Sequence, residues 1–178
     1  MPLRLKEVEM SCSEYASQDD VQAIRSSMSL GNITQGSWGE MIAAQIAVAE
    51  DKLDLIAEPY SPGHKGIDAV YRDHKGNLVV VEVKMTGAGL GSLDRTQHGR
   101  QGSVEWIGRQ AELMQRDSVN THNAKVGNEI LSKGPENVRS ITISVDPDTG
   151  VARAYERESD GHWSGIGQWD TREEGERL

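Results

Sequence analysis

The chain has 178 residues, 36% of them hydrophobic with no Phe, 26% charged, and a formal net charge of −9. That length suits one domain of ordinary size and leaves little room for a second. A lone cysteine, Cys12, excludes an intrachain disulfide and a cysteine metal cage, and no apolar run approaches the ~18 residues of a membrane span.

The first ten residues lack the apolar core and small-residue cleavage site of a signal peptide. The expected setting is therefore a reducing cytoplasm, with no membrane partner. The acidic balance argues against the basic footprint of a nucleic-acid binder, but binding depends on where charges sit. Residues 84–116 carry Lys84, Arg95, Arg100, Arg109 and Arg116 against Asp94, Glu105 and Glu112. The acidic excess lies elsewhere, in Asp19-Asp20 and in Glu173, Glu174 and Glu176.

In chain order, residues 1–33 read as an N-terminal extension whose short helix, residues 21–28, is marked by Val21, Ile24 and Met28. Ser37 then caps a clearer helix lined by Ile42, Ile46 and Ala49. Residues 53–60 read as a strand. Residues 66–72 and 78–84 form a hairpin around the turn Asp73-His74-Lys75-Gly76-Asn77. A glycine-rich loop runs from Thr86 to about Gly102, read as flexible. Ser103 then caps a helix bearing Val104, Ile107, Ala111 and Met114. Residues 139–145 and 151–157 are strands, and the segment from Ser159 is polar and irregular, with Trp163 and Trp169 as anchors. The order predicts one α/β domain with a central mixed sheet flanked by helices and an αβββαβ core. The expected boundaries are 1–33 for the extension, 34–158 for the domain and 159–178 for the tail.

The chemistry concentrates in the hairpin. Strand side chains alternate, so Glu82 and Lys84 share one face and Val79, Val81 and Val83 the other. Positions 68 and 82 are symmetric about residue 75, which sets Asp68 directly opposite Glu82. Like charges so placed repel, and a cation between them is the simplest remedy. A hard ion such as Mg²⁺, or Mn²⁺, takes oxygen ligands and leaves room for phosphate. Lys84, one pleat along, is placed to orient water or offset charge at a scissile phosphate.

Gly66-Ile67-Asp68, then Glu82-Val83-Lys84, preceded by Gly39-Glu40 on a helix, resembles the signature of PD-(D/E)XK nucleases, a superfamily that includes Holliday junction resolvases, restriction enzymes and toxin nuclease domains. The resemblance covers roughly residues 36–116. It implies a restriction-endonuclease-like fold, Asp68, Glu82 and Glu40 as metal ligands, and Lys84 as the catalytic lysine. Gly99-Arg100-Gln101-Gly102-Ser103 through Trp106-Ile107 is similar to a stretch found in toxin-type members, and places Gln101 at a helix start facing the site.

Each residue also has a plainer reading. Ser37-Trp38-Gly39-Glu40 is a capping box, in which Glu40 satisfies the cap amide instead of a metal. Lys65, Arg95, His98, Arg100 and Arg109 are candidates for nucleic-acid contact, with ordinary surface charge as the alternative. No metal-ligand spacing relates the histidines, and Gly87, Gly89 and Gly91 lack the lysine of a phosphate loop. The function expected is a Mg²⁺-dependent endonuclease acting on DNA. The alternatives are a dimeric junction resolvase and a non-catalytic nucleic-acid-binding or scaffold module. A homodimer and an immunity-type inhibitor are further possible partners.

Overall fold

The computed structural model describes residues 53–57 and 66–170. Glu40, Lys65 and the helices expected before residue 50 lie outside that range. Six strands make one sheet in the order β1-β2-β3-β6-β7-β8, where β1 is Asp54–Ala57, β2 Ala69–Arg72, β3 Leu78–Met85, β6 Arg139–Val145, β7 Val151–Arg157 and β8 Trp163–Asp170. β3 and β6 run parallel and the other neighbours antiparallel. Their crossover carries two helices, α1 (Val104–Gln115) and α2 (Thr121–Lys133). The chain is therefore an α/β protein with a mixed sheet, as its element order predicts.

Alternation along β3 divides the core into two layers. Leu78 and Val80 join Trp106, Ile107 and Met114 of α1 and Ile130 of α2. Val79 and Val81 pack with Tyr71, Ile141, Ile143 and Trp169 on the opposite face. Ser103 caps α1, its hydroxyl accepting from the Trp106 amide.

The hairpin turn is set by Asp73, which is 7% exposed. Its carboxylate accepts from the amides of Lys75 (2.9 Å) and Asn77 (2.8 Å), from Asn77 Nδ2 (3.0 Å) and from Arg139 (3.3 Å). Gly76 takes φ +80°, the left-handed conformation that closes a three-residue hairpin loop. Burial pushes the Asp73 carboxyl up, but these hydrogen bonds outweigh it and hold it below the ordinary carboxylate value. A depressed folded-state value contributes stability above the unfolded value, near 3.8, and loses it as acid protonates the folded group. Asp73→Ala is expected to cost about 1–3 kcal/mol near neutral pH. In urea melts repeated at falling pH, the gap to wild type should close below the unfolded value. A gap that stayed constant into acid would assign the loss to packing.

Two features depart from the sequence reading. The crossover was expected to hold one helix, yet α2 fills residues 121–133. Its apolar stripe is short, Val126 and Ile130 packing into the core beside α1, and polar links add to that attachment. Arg72 pairs both its terminal nitrogens with Glu129 at 2.9 Å, Lys133 donates to Gly76 O at 3.0 Å, and His122 contacts Ile56 O. Gly127 lets α2 approach α1 closely, since a Cβ there would lie 2.7 Å from Ala111 O. The second departure lies within the segment after Ser159, expected to be irregular, of which residues up to 170 are described. Residues Trp163–Asp170 form strand β8, paired with β7 through a bulge, and Trp169 is only 3% exposed. Gly165, Gly167 and the bulge obscure the alternation that would mark it as a strand.

Candidate active site

The register of β2 on β3 pairs Ala69 with Val81, Val70 with Val80 and Arg72 with Leu78. Continuing it one residue sets Asp68 opposite Glu82, and the hydrogen bonds agree. The Asp68 amide donates to Glu82 Oε1 at 3.4 Å, and the Val83 amide donates to Asp68 Oδ2 at 2.7 Å. Each acid accepts an amide of the other's strand, so the ladder ends in carboxylates rather than carbonyls.

Glu82 is 1% exposed and faces the helix layer, at the end of β3 that leads into the glycine-rich segment. Burial raises its carboxyl well above the ordinary value, and the Asp68 charge raises it further. Lys84 and the Asp68 amide oppose that shift. Burial likewise raises Asp68, against the Val83 amide and Lys84. The pair is thus held where charge is costly.

Lys84 follows on the same face. Its Nζ lies 3.8 Å from Asp94 Oδ2, with side-chain exposures of 22% and 76%. Gln101 holds Asp94 from both directions. Its Oε1 accepts from the Asp94 amide at 2.9 Å, and its own amide donates to Asp94 O at 3.0 Å. Gln101 therefore reaches the site through Asp94 and Lys84. Asp94 carries no periodic signal in a loop, so sequence reasoning assigned it no role.

Between Asp94 and Gln101 lies a small hairpin, β4 (Arg95–Thr96) and β5 (Gly99–Arg100). Arg95 stands exposed on it and His98, in its turn, is half-buried. Arg100 is turned inward, one terminal nitrogen donating to Leu90 O, while its Nε is buried without a partner. Arg109 lies on α1, paired with Glu112 at 2.8 Å. The structure thus brings Asp68, Glu82, Lys84 and, indirectly, Gln101 together, and leaves Arg109 engaged within its own helix. The glycine-rich segment, expected to be flexible, contains a 3-10 turn at Gly89–Ser92. There Gly89 (φ +58°) passes Tyr155 so closely that a Cβ would sit 3.1 Å from its hydroxyl. Such packing against β7 has no local sequence signature.

Among the described residues, no group of three or more His, Cys, Asp or Glu gathers as a metal cage. Two carboxylates, however, match the way Mg²⁺ is commonly held, by one or two acids together with water and substrate phosphate. The donor set is all oxygen, both acids are raised by burial, and the Thr142 hydroxyl on the neighbouring strand is buried without a partner. A hard divalent cation fits that chemistry.

Fold and site together define a class: an α/β protein whose mixed sheet carries, at one end of its central strand, a buried Glu82 facing a partly buried Asp68, with a lysine beside them. No family model, curated protein or solved structure matches this chain. Among the described residues, no helix is long and apolar enough to cross a membrane.

Proposed function

We propose that this chain is a divalent-metal-dependent endonuclease of the PD-(D/E)XK type, hydrolysing phosphodiester bonds in DNA. The observation that carries this reading is the facing pair of a buried Glu82 and a partly buried Asp68, with Lys84 one pleat along β3. Asp68 and Glu82 are the residues to hold Mg²⁺ or Mn²⁺, with Glu40 as a third acid. When bound, the ion offsets their charge and supplies Lewis acidity toward a phosphoryl oxygen and an attacking water.

Lys84 orients the water or stabilises charge on the phosphate, and Asp94, clamped by Gln101, restrains the ammonium. Arg95, exposed on the β4–β5 hairpin, and the half-buried His98 in its turn are the side chains best placed for the nucleic-acid backbone, with Lys65, Arg100 and Arg109 as lesser contributors. The local excess of basic over acidic residues between 84 and 116, five against three, reconciles such contacts with a net charge of −9. A cytoplasmic setting, a homodimer and an immunity-type inhibitor belong to the same proposal.

The test is a cleavage panel of supercoiled plasmid, linear duplex, four-way junction and tRNA, with Mg²⁺, Mn²⁺ or EDTA. Metal-dependent cutting of the DNA substrates is expected. Junction-only cutting would move the assignment to a resolvase, tRNA-only cutting to a ribonuclease, and no cutting with either ion would overturn the enzymatic reading.

A further inference from the structure

Two hydroxyls on β6 are buried with nothing to bond. Ser140 and Thr142 are both 0% exposed, and neither Oγ has a hydrogen-bond partner. Leaving a buried hydroxyl unpaired is costly, and native structures keep few such groups without a reason.

The two differ in what lies beside them. β6 runs parallel to β3 with Thr142 in register with Glu82. Side chains at paired positions of neighbouring strands share a face, with strands about 4.7–4.9 Å apart. β3 lies between β2 and β6, so Glu82 has Asp68 on one side and Thr142 on the other. Ser140 lies instead by Gly102, where a Cβ would come 3.0 Å from its Oγ and 2.9 Å from the Trp163 ring. Glu82 is itself under-supplied. A carboxylate has about four acceptor sites, and this one receives a single long bond, 3.4 Å from the Asp68 amide.

We propose that Thr142 is a positioning residue of the acid pair: its hydroxyl donates to the Glu82 carboxylate when that group is charged against a divalent cation, and so directs the remaining lone pairs at the ion. The inference rests on the divalent reading of Asp68 and Glu82. It explains why a hydroxyl stands unpartnered in the interior at the one β6 position in register with Glu82. Partners of this kind orient ligating carboxylates, and their loss typically weakens metal binding 10–100-fold.

Thr142→Val, Thr142→Ser and Ser140→Ala in the full chain separate this role from ordinary packing by two measurements, thermal unfolding without metal and calorimetric titration with Mn²⁺. Thr142→Val keeps the side-chain shape and removes an unpaired hydroxyl. It should melt no lower than wild type without metal, yet bind Mn²⁺ about 10–100-fold more weakly. Thr142→Ser should restore wild-type affinity, and Ser140→Ala, which removes the other unpaired hydroxyl, should leave affinity unchanged. Equal Mn²⁺ binding by wild type and Thr142→Val would overturn the inference alone. So would equal weakening by Ser140→Ala, or failure of Thr142→Ser to restore affinity. No Mn²⁺ binding by wild type would overturn the divalent reading and this inference together.

Discussion

Lys84→Ala is expected to lower the rate of DNA cleavage by about 10²–10³-fold, the usual loss when one charge-stabilising donor leaves an active site. It should do so without unfolding the protein. The ammonium lies 3.8 Å from Asp94, whose side chain is 76% exposed, and such pairs contribute little to stability. The thermal midpoint of the variant should therefore stay close to wild type. Removing Lys84 also takes away a charge that lowers both Asp68 and Glu82, so a slight loss confined to neutral and higher pH is consistent with the same geometry. Substrate affinity should change less than turnover, because Lys84 is assigned to the reacting water and phosphate. Cleavage by a folded Lys84→Ala protein at the wild-type rate would remove Lys84 from the chemistry.

Glu82→Gln should separate activity from stability in the opposite sense. Glu82 is 1% exposed and faces a second carboxylate, while the Asp68 amide gives it one bond of 3.4 Å. Burial, then the Asp68 charge, raises its folded-state value above the ordinary 4.5. Between those two values the folded protein binds more protons than the unfolded chain. Stability therefore falls as pH rises through that window. Glutamine removes the titration while keeping the shape. Without metal, Glu82→Gln is expected to be more stable by roughly 1–3 kcal/mol near neutral pH, in line with replacement of buried charge elsewhere. For a chain of this size that corresponds to about 2–4 °C in Tm per kcal/mol. The gain should vanish at pH below the ordinary glutamate value, where both chains carry a neutral group. Cleavage should be lost at every pH. Mn²⁺ should also stabilise the wild type, by about 2.7 kcal/mol at a concentration 100 times Kd, and stabilise Glu82→Gln much less. A Glu82→Gln protein less stable than wild type without metal would show that the carboxylate serves the fold.

The hairpin was legible in the sequence because its determinants are local. Asp73, Gly76 and Asn77 specify a turn, and a turn centred on residue 75 fixes every pair beyond it, including Asp68 against Glu82. The apolar residues of β3, the Ser103 cap and the helix face of Ile107, Ala111 and Met114 were readable for the same reason. What was not legible depends on distant contacts. α2 buries Val126 and Ile130 in the core and is tied down by Arg72–Glu129 and Lys133–Gly76, contacts that no local pattern announces. β8 is a strand because β7 offers it an edge, while its glycines and bulge spoil the alternation. Asp94 stands beside Lys84 in a loop whose backbone Gln101 hydrogen-bonds across seven residues. Thr142 carried a partial signal: Ser140, Thr142 and Ser144 alternate with Ile141 and Ile143. That pattern marks a polar face, but only the parallel pairing of β3 with β6 sets that face beside Glu82.

The role of the acid pair is tested most directly by conversion of supercoiled plasmid to nicked and linear forms, followed for wild type and Asp68→Ala from EDTA to millimolar Mg²⁺. Asp68 is partly buried and its carboxylate bonds the Val83 amide at 2.7 Å, so circular dichroism should first confirm that the variant is folded. Wild type is predicted to cut only when divalent metal is present, with the rate saturating as Mg²⁺ rises, and folded Asp68→Ala is predicted not to cut at any concentration. Wild-type cleavage undiminished in EDTA, or cleavage by Asp68→Ala at the wild-type rate, would contradict a metal-dependent nuclease centred on Asp68, Glu82 and Lys84.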